Sequence, residues 1–399
     1  MRINVLRHHI LKKILAGYFL LVFYGFPVQV MASEEQFHRF WPDNLFAVEF
    51  VSEKVGFISG QAGTVLRTND AGENWEAFFI GKPELIRRMS FVSESEGWAV
   101  GHRGSIFHTA DSGRNWDVQH SSEKVYLRDI KFFDNKHGWA VGHGAEILHT
   151  NDGGLHWERQ SLTAYKGRDL PRLHGIEVID QQTAVLVGEF GIIAHTENAG
   201  EYWKITPVET TVTWLSVAAS KDCIYIVGLD GSGSCLTKAS EEQSKKIALQ
   251  RAEKIAKEQE KSRKKALRRG EKYTLPEEYY TPESDVEYVV KPIETGSTEH
   301  LFDVVKMSDG GAVAVGRSTI IRLMRNKGVS LIANKGLPID YLWFGGIDFS
   351  STTQFWAAGI KGLVVKGDVS KMNYAFTLSL PESKNISLIT SRWVTENGK

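Results

Sequence analysis

Short runs of alternating apolar and polar residues recur along the chain, as in WAVG and SIFHT after Gly97 and in WAVG and EILHT after Gly138. Alternation with period two over four to six residues predicts half-buried β-strands. The glycine pair between the two runs, Gly101 and Gly104, predicts a chain reversal, so each unit contains a hairpin. The whole stretch GWAVGHRGSIFHTADSGRNW (Gly97 to Trp116) returns as GWAVGHGAEILHTNDGGLHW (Gly138 to Trp157), and more loosely from Gly56 to Trp75 and from Ala184 to Trp203. Trp98 and Trp139 are 41 residues apart, which is the span of one four-stranded propeller blade.

Each hairpin is preceded by a further apolar strand: LFAVEFV from Leu45, IRRMSFV from Ile86, LRDIKFF from Leu127, LHGIEVI from Leu173 and WLSVAAS from Trp214. These are the candidate innermost strands. The same pattern continues from Leu301 (LFDVVKM, then GAVAVGRSTIIRL) and from Phe344 (FGGIDFS, then FWAAGIKGLVVKG), which brings the units to seven. The expected fold is all-β, a seven-bladed β-propeller over residues 33–399, closed so that no sheet edge is left open at the axis. Either Glu35 to Phe40 or the segment ISLITSRW from Ile386 is expected to complete the last blade. The repeat is interrupted in blade five by a charged insertion, residues 239–295, far longer than an ordinary connection. Its Glu, Lys, Arg, Gln and Ala favour helix. A solvated helix, a disordered basic tether and an arm that docks on a partner or an anionic membrane through residues 241–272 all remain open.

The stretches Thr68 to Trp75, Thr109 to Trp116 and Thr150 to Trp157 share a turn chemistry. Asp70, Asp111 and Asp152 can accept backbone N–H groups of the turn, Gly72, Gly113 and Gly154 supply a positive φ, and Trp75, Trp116 and Trp157 pack back over the hairpin. The fourth copy departs, with Glu197 and Asn198 in place of Asn-Asp. This pattern resembles the Asp-box of the bacterial neuraminidase repeat (BNR) superfamily, S/T-x-D-x-G-x-x-W. The resemblance implies a structural hairpin remote from any catalytic centre.

Lys and Arg total 48, and so do Asp and Glu, giving a formal net charge of zero. Without a global field, no nucleic-acid partner is expected and any electrostatic function must be local. The N-terminus stands apart. Arg2, Arg7, Lys12 and Lys13 precede an apolar run from Ile14 to Tyr24 and the small-residue site Val30-Met31-Ala32. The run is shorter than the roughly 20 residues a span needs, so residues 1–32 are expected to be a cleaved signal peptide and the protein to be exported to a periplasm. Cys223 and Cys235 flank one hairpin turn and can form a disulfide in such a compartment, although the strand register sets the two sulfurs out of line; two buried thiols are the alternative.

The exported chain, the seven units and the repeated LxxIxF…GWAVGxxGxIxHTxDGGxxW together resemble the photosystem II assembly and stability factor family over about Phe40 to Lys371. The resemblance implies binding without chemistry: a propeller that holds an integral membrane protein or complex during assembly, with arginines on one face near the axis. The matching positions here are Arg87, Arg88, Arg128, Asp129 and His174. In a propeller the turn between strands two and three shares a face with the entry into the innermost strand, which adds His102, Arg103, His143, Glu189, Arg317, Lys361 and Arg172. Arginine's planar fork suits carboxylates on such a partner. A photosystem subunit and an RND-type export pump for lipids or small molecules are the two clients considered, with the protein a monomer. A sialidase-like glycosidase is the enzymatic alternative, but it would want poised carboxylates and an Arg-Ile-Pro motif that this sequence lacks. No enzyme activity, cofactor or metal is therefore expected. His108, His149 and His195 occupy equivalent positions on separate blades, too far apart to share one zinc ion.

Overall fold

The computed structural model describes residues 43–122, 125–208, 210–269, 288–331, 342–370 and 377–378. The signal-peptide segment 1–32 and both stretches expected to close the ring lie outside these residues. The chain forms a seven-bladed β-propeller: seven four-stranded antiparallel sheets, each with its strands in sequence order from the axis outwards. Blade two shows the plan, with strands Ile86–Phe91, Gly97–Gly101, Ile106–Thr109 and Asp117–His120. The innermost strands are Leu45–Phe50, Ile86–Phe91, Leu127–Phe132, Leu173–Val178, Trp214–Ala219, Leu301–Lys306 and Phe344–Phe349. Each touches the next, and the seventh touches the first, so the ring is closed.

Two boundaries differ from those expected. The fourth strand of blade seven is Thr377–Leu378, which follows directly from the third strand and pairs with Val365 and Lys366. The insertion in blade five ends before 288, because Tyr288–Ile293 returns as that blade's outermost strand. Pro292 sits on it without loss, since one side of an outermost strand has no ladder to serve. Between the third and fourth strands of blade five rises a helix, α1 (Glu241–Arg268). Cys223 and Cys235 form a disulfide. Cys235 faces Tyr225 in the ladder, so the bond runs diagonally, and a Cα–Cα distance of 5.5 Å permits it.

The core lies between blades, where the second strands of blades one to six are buried along their length. Phe57 of blade one stacks on Phe91 of blade two at 3.8 Å, and Trp98 of blade two on Phe132 of blade three at 3.6 Å. The Asp-box turns seal these seams. Trp98 Nε1 donates to the carbonyl of Gly153 in the next blade's box. At Gly72, whose φ is +82°, a β-carbon would lie 2.2 Å from the Trp356 ring, so only glycine fits the approach of blade one to blade seven.

Within each box the aspartate organises the turn. Asp111 Oδ1 accepts from the Thr109 hydroxyl (3.0 Å) and from Asn115 N (2.8 Å), while Thr109 Oγ1 accepts from Gly113 N. Asp70 and Asp152 repeat this arrangement. So does the divergent fourth copy, where Asn198 Oδ1 accepts from Thr196 and Tyr202 N. The backbone of the turn takes one side-chain oxygen, which asparagine supplies, and in the three aspartate copies the second oxygen holds the side chain four residues on. Asp111→Asn keeps the Oδ1 bonds and gives up the exposed Oδ2 bond from Asn115 Nδ2, so it is expected to cost less than about 1 kcal/mol, whereas Asp111→Ala loses about 1–2 kcal/mol; chemical denaturation of the two variants separates these outcomes.

Candidate functional site

One face of the ring is built by a feature repeated in every blade. The ladder between the first two strands slips by one residue at the second position of the innermost strand, a β-bulge at Phe46, Arg87, Arg128, His174, Leu215, Phe302 and Gly345. A bulge re-aims the extra residue's side chain and frees its backbone groups from the ladder. Beside each bulge, the first N–H of the turn between strands two and three bonds to the carbonyl just before the innermost strand, as in His102 to Leu85, His143 to Tyr126, Glu189 to Arg172 and Arg317 to His300. Turns and strand entries therefore do share a face, and the bulged residues form its axial rim.

The rim has two sectors. Blades two to four contribute Arg87, Arg128 and His174, all half-buried, with His143 and Arg172 from the adjoining turn and connection. Arg128 Nε donates to His143 Nε2 at 2.9 Å. Burial, then the charges of Arg128 and Arg172, bring His143 down to about 4. His174 falls to about 3 through burial and through Arg128 and Arg87. Both imidazoles are therefore neutral acceptors near pH 7. Arg87 is lowered to about 9 by burial, then by Arg88 and Arg128, and Arg128 is lowered by burial and by Arg172. These guanidiniums stay charged at neutral pH but are held in mutual repulsion. The rest of the rim, over blades six, seven and one, is aromatic: Phe302 meets Trp343 edge-on at 6.3 Å, Phe46 stacks on Trp343 at 5.6 Å, and the Arg87 guanidinium adjoins the cluster, 5.2 Å from the Phe46 ring centre. Sequence reasoning found the basic sector and missed the aromatic one. Phe46 and Phe302 occupy the same bulge position as Arg87 and could have been read from it.

The outer part of the face is more fully paired. Arg172 lies 3.6 Å from Glu189 and Arg317 3.8 Å from Glu299. His102 Nδ1 accepts from Leu85 N, and Tyr126 bridges the His102 and His143 rings at 5.4 and 5.1 Å. Arg103 is exposed, with its backbone N–H on Glu84. Lys361 is also exposed, and its N–H is bonded to Asn44.

Arg88 and Asp129 point into the channel below the rim and are engaged there. Arg88 reaches the carbonyls of Phe46, Gly345 and Phe302, which are three bulge residues, and pairs with Asp303 at 3.1 Å. Asp129 Oδ2 accepts from Ile176 N at 2.9 Å. That bond is one link of a complete belt. Each innermost strand exposes N–H groups on its axial edge, and a side chain of the preceding blade accepts one of them. Glu49 takes Phe91 N, Ser90 takes Phe132 N, Asp129 takes Ile176 N and Glu177 takes Ala219 N. Ser216 takes Val304 N, Asp303 takes Ile347 N, and Asp348 takes Phe50 N across the closing seam. Buried backbone donors must be paired, and here side chains do it. An acid or hydroxyl at the third or fifth position of all seven innermost strands was the available signal.

The belt surrounds a cavity of about 380 Å³ that Lys131 and Lys306 share with the acids. The acids are enclosed by protein yet still touch the channel's solvent. Burial, the largest effect, raises Glu49 to about 7 and Asp129 and Asp348 to about 6, above ordinary values of 4.5 and 3.8. Lys131 is raised by Glu177, Glu49, Asp348 and Asp129, which outweigh its own desolvation. The three raised acids bind protons more tightly in the folded state. Their stabilisation is therefore complete below about pH 4 and is lost as pH rises through 6 to 7. Lys131→Met removes the opposing charge and is expected to cost about 2 kcal/mol at pH 8. The loss should be smaller at pH 5, where those acids are protonated; a penalty independent of pH in thermal melts would contradict this assignment.

Of the other singled-out histidines, His108 and His149 pack on Trp98 and Trp139, at 5.0 and 4.4 Å, and His195 on Tyr288 at 4.6 Å. Among the described residues no group of three or more His, Cys, Asp or Glu side chains is placed to hold a metal ion.

A family profile described as photosynthesis system II assembly factor YCF48 matches residues 32–126 and 73–367. Among solved structures, YCF48 bound to a D1 peptide aligns with a TM-score of 0.56 at 15% identity, covering 82% of this chain and 92% of that one. YCF48 from Cyanidioschyzon merolae aligns with a TM-score of 0.55 at 14% identity, covering 82% and 95%. An ancestral GH74 enzyme aligns with a TM-score of 0.58 at 7% identity over 87% of this chain, which spans 48% of that protein. At these identities the structural likenesses speak to the fold. No match is found among curated protein sequences.

Proposed function

The chain belongs to the photosynthesis system II assembly factor YCF48 family, and from that membership we propose that it is an exported, monomeric, non-catalytic propeller that holds a membrane-protein client through its axial rim. The observation that carries the reading is the juxtaposition at the bulges. Arg87 and Arg128 repel one another beside two neutral histidines, and an aromatic cluster adjoins them where Arg87 lies on Phe46. A peptide carrying a carboxylate near an apolar side chain would relieve the repulsion at one sector and bury its apolar group at the other. A D1 peptide seated on a YCF48 propeller supports a client of this kind. The GH74 likeness is one of fold alone, and the reading as a binding module is supported by the channel's five acids each accepting a backbone N–H bond in the belt.

The test is capture of the tagged protein from detergent-solubilised membranes, followed by titration with synthetic extramembrane segments of whatever is recovered. A photosystem subunit whose peptide binds through its carboxylates supports the reading. An export-pump subunit would keep the rim as a binding surface and change the client. Recovery of no membrane protein in a folded preparation would overturn it.

A further inference from the structure

The face opposite the rim carries a second basic element. Helix α1 rises between the third and fourth strands of blade five, the place that an Asp-box turn occupies in blades one to four. Those turns lie at the other end of the sheets from the turns between strands two and three, so the helix is rooted away from the arginines. It supports itself. Ser240 and Gln243 form a reciprocal capping box, and Glu241 to Lys245 (2.6 Å) and Glu260 to Lys264 (3.3 Å) are pairs four residues apart in the favourable orientation. Its 28 residues reach about 42 Å. None of its described side chains is buried.

Residues 241–269 hold eleven Lys and Arg against five Glu, in a chain of zero net charge. The helical repeat gathers Lys246, Lys257, Lys261, Lys264, Lys265 and Arg268 on one face, with Glu260 at its edge beside Lys264. We propose that this stripe adsorbs to an anionic lipid surface, as a contact separate from client binding at the rim. Three features favour a lipid surface over other polyanions. Five of the six cations are lysines, compact point charges that suit a diffuse anionic plane rather than the forked recognition arginine provides at the rim. Leu249 and Leu267 are 62% and 64% exposed and lie five turns apart; two such residues are too few to anchor a helix in a protein groove. The helix has no aromatic side chain on which a nucleic-acid base could stack. No helix among the described residues is long and apolar enough to cross a membrane.

Each lysine held near an anionic surface strengthens partitioning roughly fivefold. The chain from Ser33 onward should therefore sediment with vesicles of phosphatidylcholine containing about a third phosphatidylglycerol, and not with phosphatidylcholine alone. Raising the salt to about 0.5 M should release it. Lys257→Gln with Lys261→Gln, Lys264→Gln and Lys265→Gln keeps good helix formers, a point that circular dichroism checks. It should weaken partitioning by at least about a hundredfold. Arg87→Glu with Arg128→Glu should leave vesicle binding unchanged, which distinguishes failure of this contact from failure of the rim. Absence of binding to the anionic vesicles, undiminished binding by the glutamine variant, or tighter binding to duplex RNA or polyglutamate than to the vesicles would each overturn the proposal.

Discussion

Arg88→Ala is expected to lower the thermal midpoint more than any other single substitution at the axis. The guanidinium of Arg88 starts from blade two and ties together blades one, six and seven through the carbonyls of Phe46, Phe302 and Gly345. Those carbonyls have left their ladders at the bulges, and Asp303, which Arg88 neutralises, is itself a link in the belt. Truncation leaves three acceptors and one carboxylate without their cation. The expected cost is about 3–5 kcal/mol, in line with removing one partner of an enclosed charge pair. In a ring of this size that corresponds to roughly 8 °C. Arg88→Lys keeps the charge but can serve only part of the fork, so it should fall between wild type and alanine. A midpoint within about 2 °C of wild type for the alanine variant would show that the three carbonyls find other donors.

The architecture was readable because blades repeat and packing leaves a period in the residues. Trp98, Trp139 and Trp356 stand at the same point of three second strands, and even the units without an Asp-box keep the buried AVAVG and WAAG runs. Asn198 looked like a departure only because the motif was read by residue name; the turn's backbone takes one oxygen, and Asn198 provides it. What could not be read were features that depend on a neighbouring blade. Arg88 follows Arg87 directly, and the two look interchangeable in a list of axial arginines. The bulge sends one to the rim and the other into the channel, and no single strand discloses that difference. The belt acids are likewise divided between two positions, so they form no column in the repeat until the blades are set side by side. Tyr288–Ile293 was absorbed into the insertion because its alternation is short and interrupted by Pro292, and Thr377–Leu378 is too brief to carry a pattern at all.

Arg87→Glu with Arg128→Glu is expected to weaken binding of a carboxylate-bearing client peptide by at least about a hundredfold, since each charge-assisted hydrogen bond lost contributes about 1.5–3 kcal/mol. The loss should come without unfolding. Unlike Arg88, which ties three blades, Arg87 holds one aromatic ring and Arg128 one neutral imidazole, and the loss of those contacts is offset in part by relief of repulsion in the basic sector. The variant should still melt cooperatively within a few degrees of wild type, which separates a binding defect from a folding defect in the same sample. Because the arginine charges are only partly matched by neighbouring acids, wild-type affinity should fall steeply with salt, and the variant should lose that dependence. Phe46→Ala probes the aromatic sector. It should reduce affinity for peptides with an apolar residue near the carboxylate while leaving the salt dependence in place, since it removes burial and no charge. Calorimetric titration of the three proteins at two salt concentrations reads all of these outcomes. Full affinity in a folded Arg87→Glu, Arg128→Glu variant would move the client off the rim.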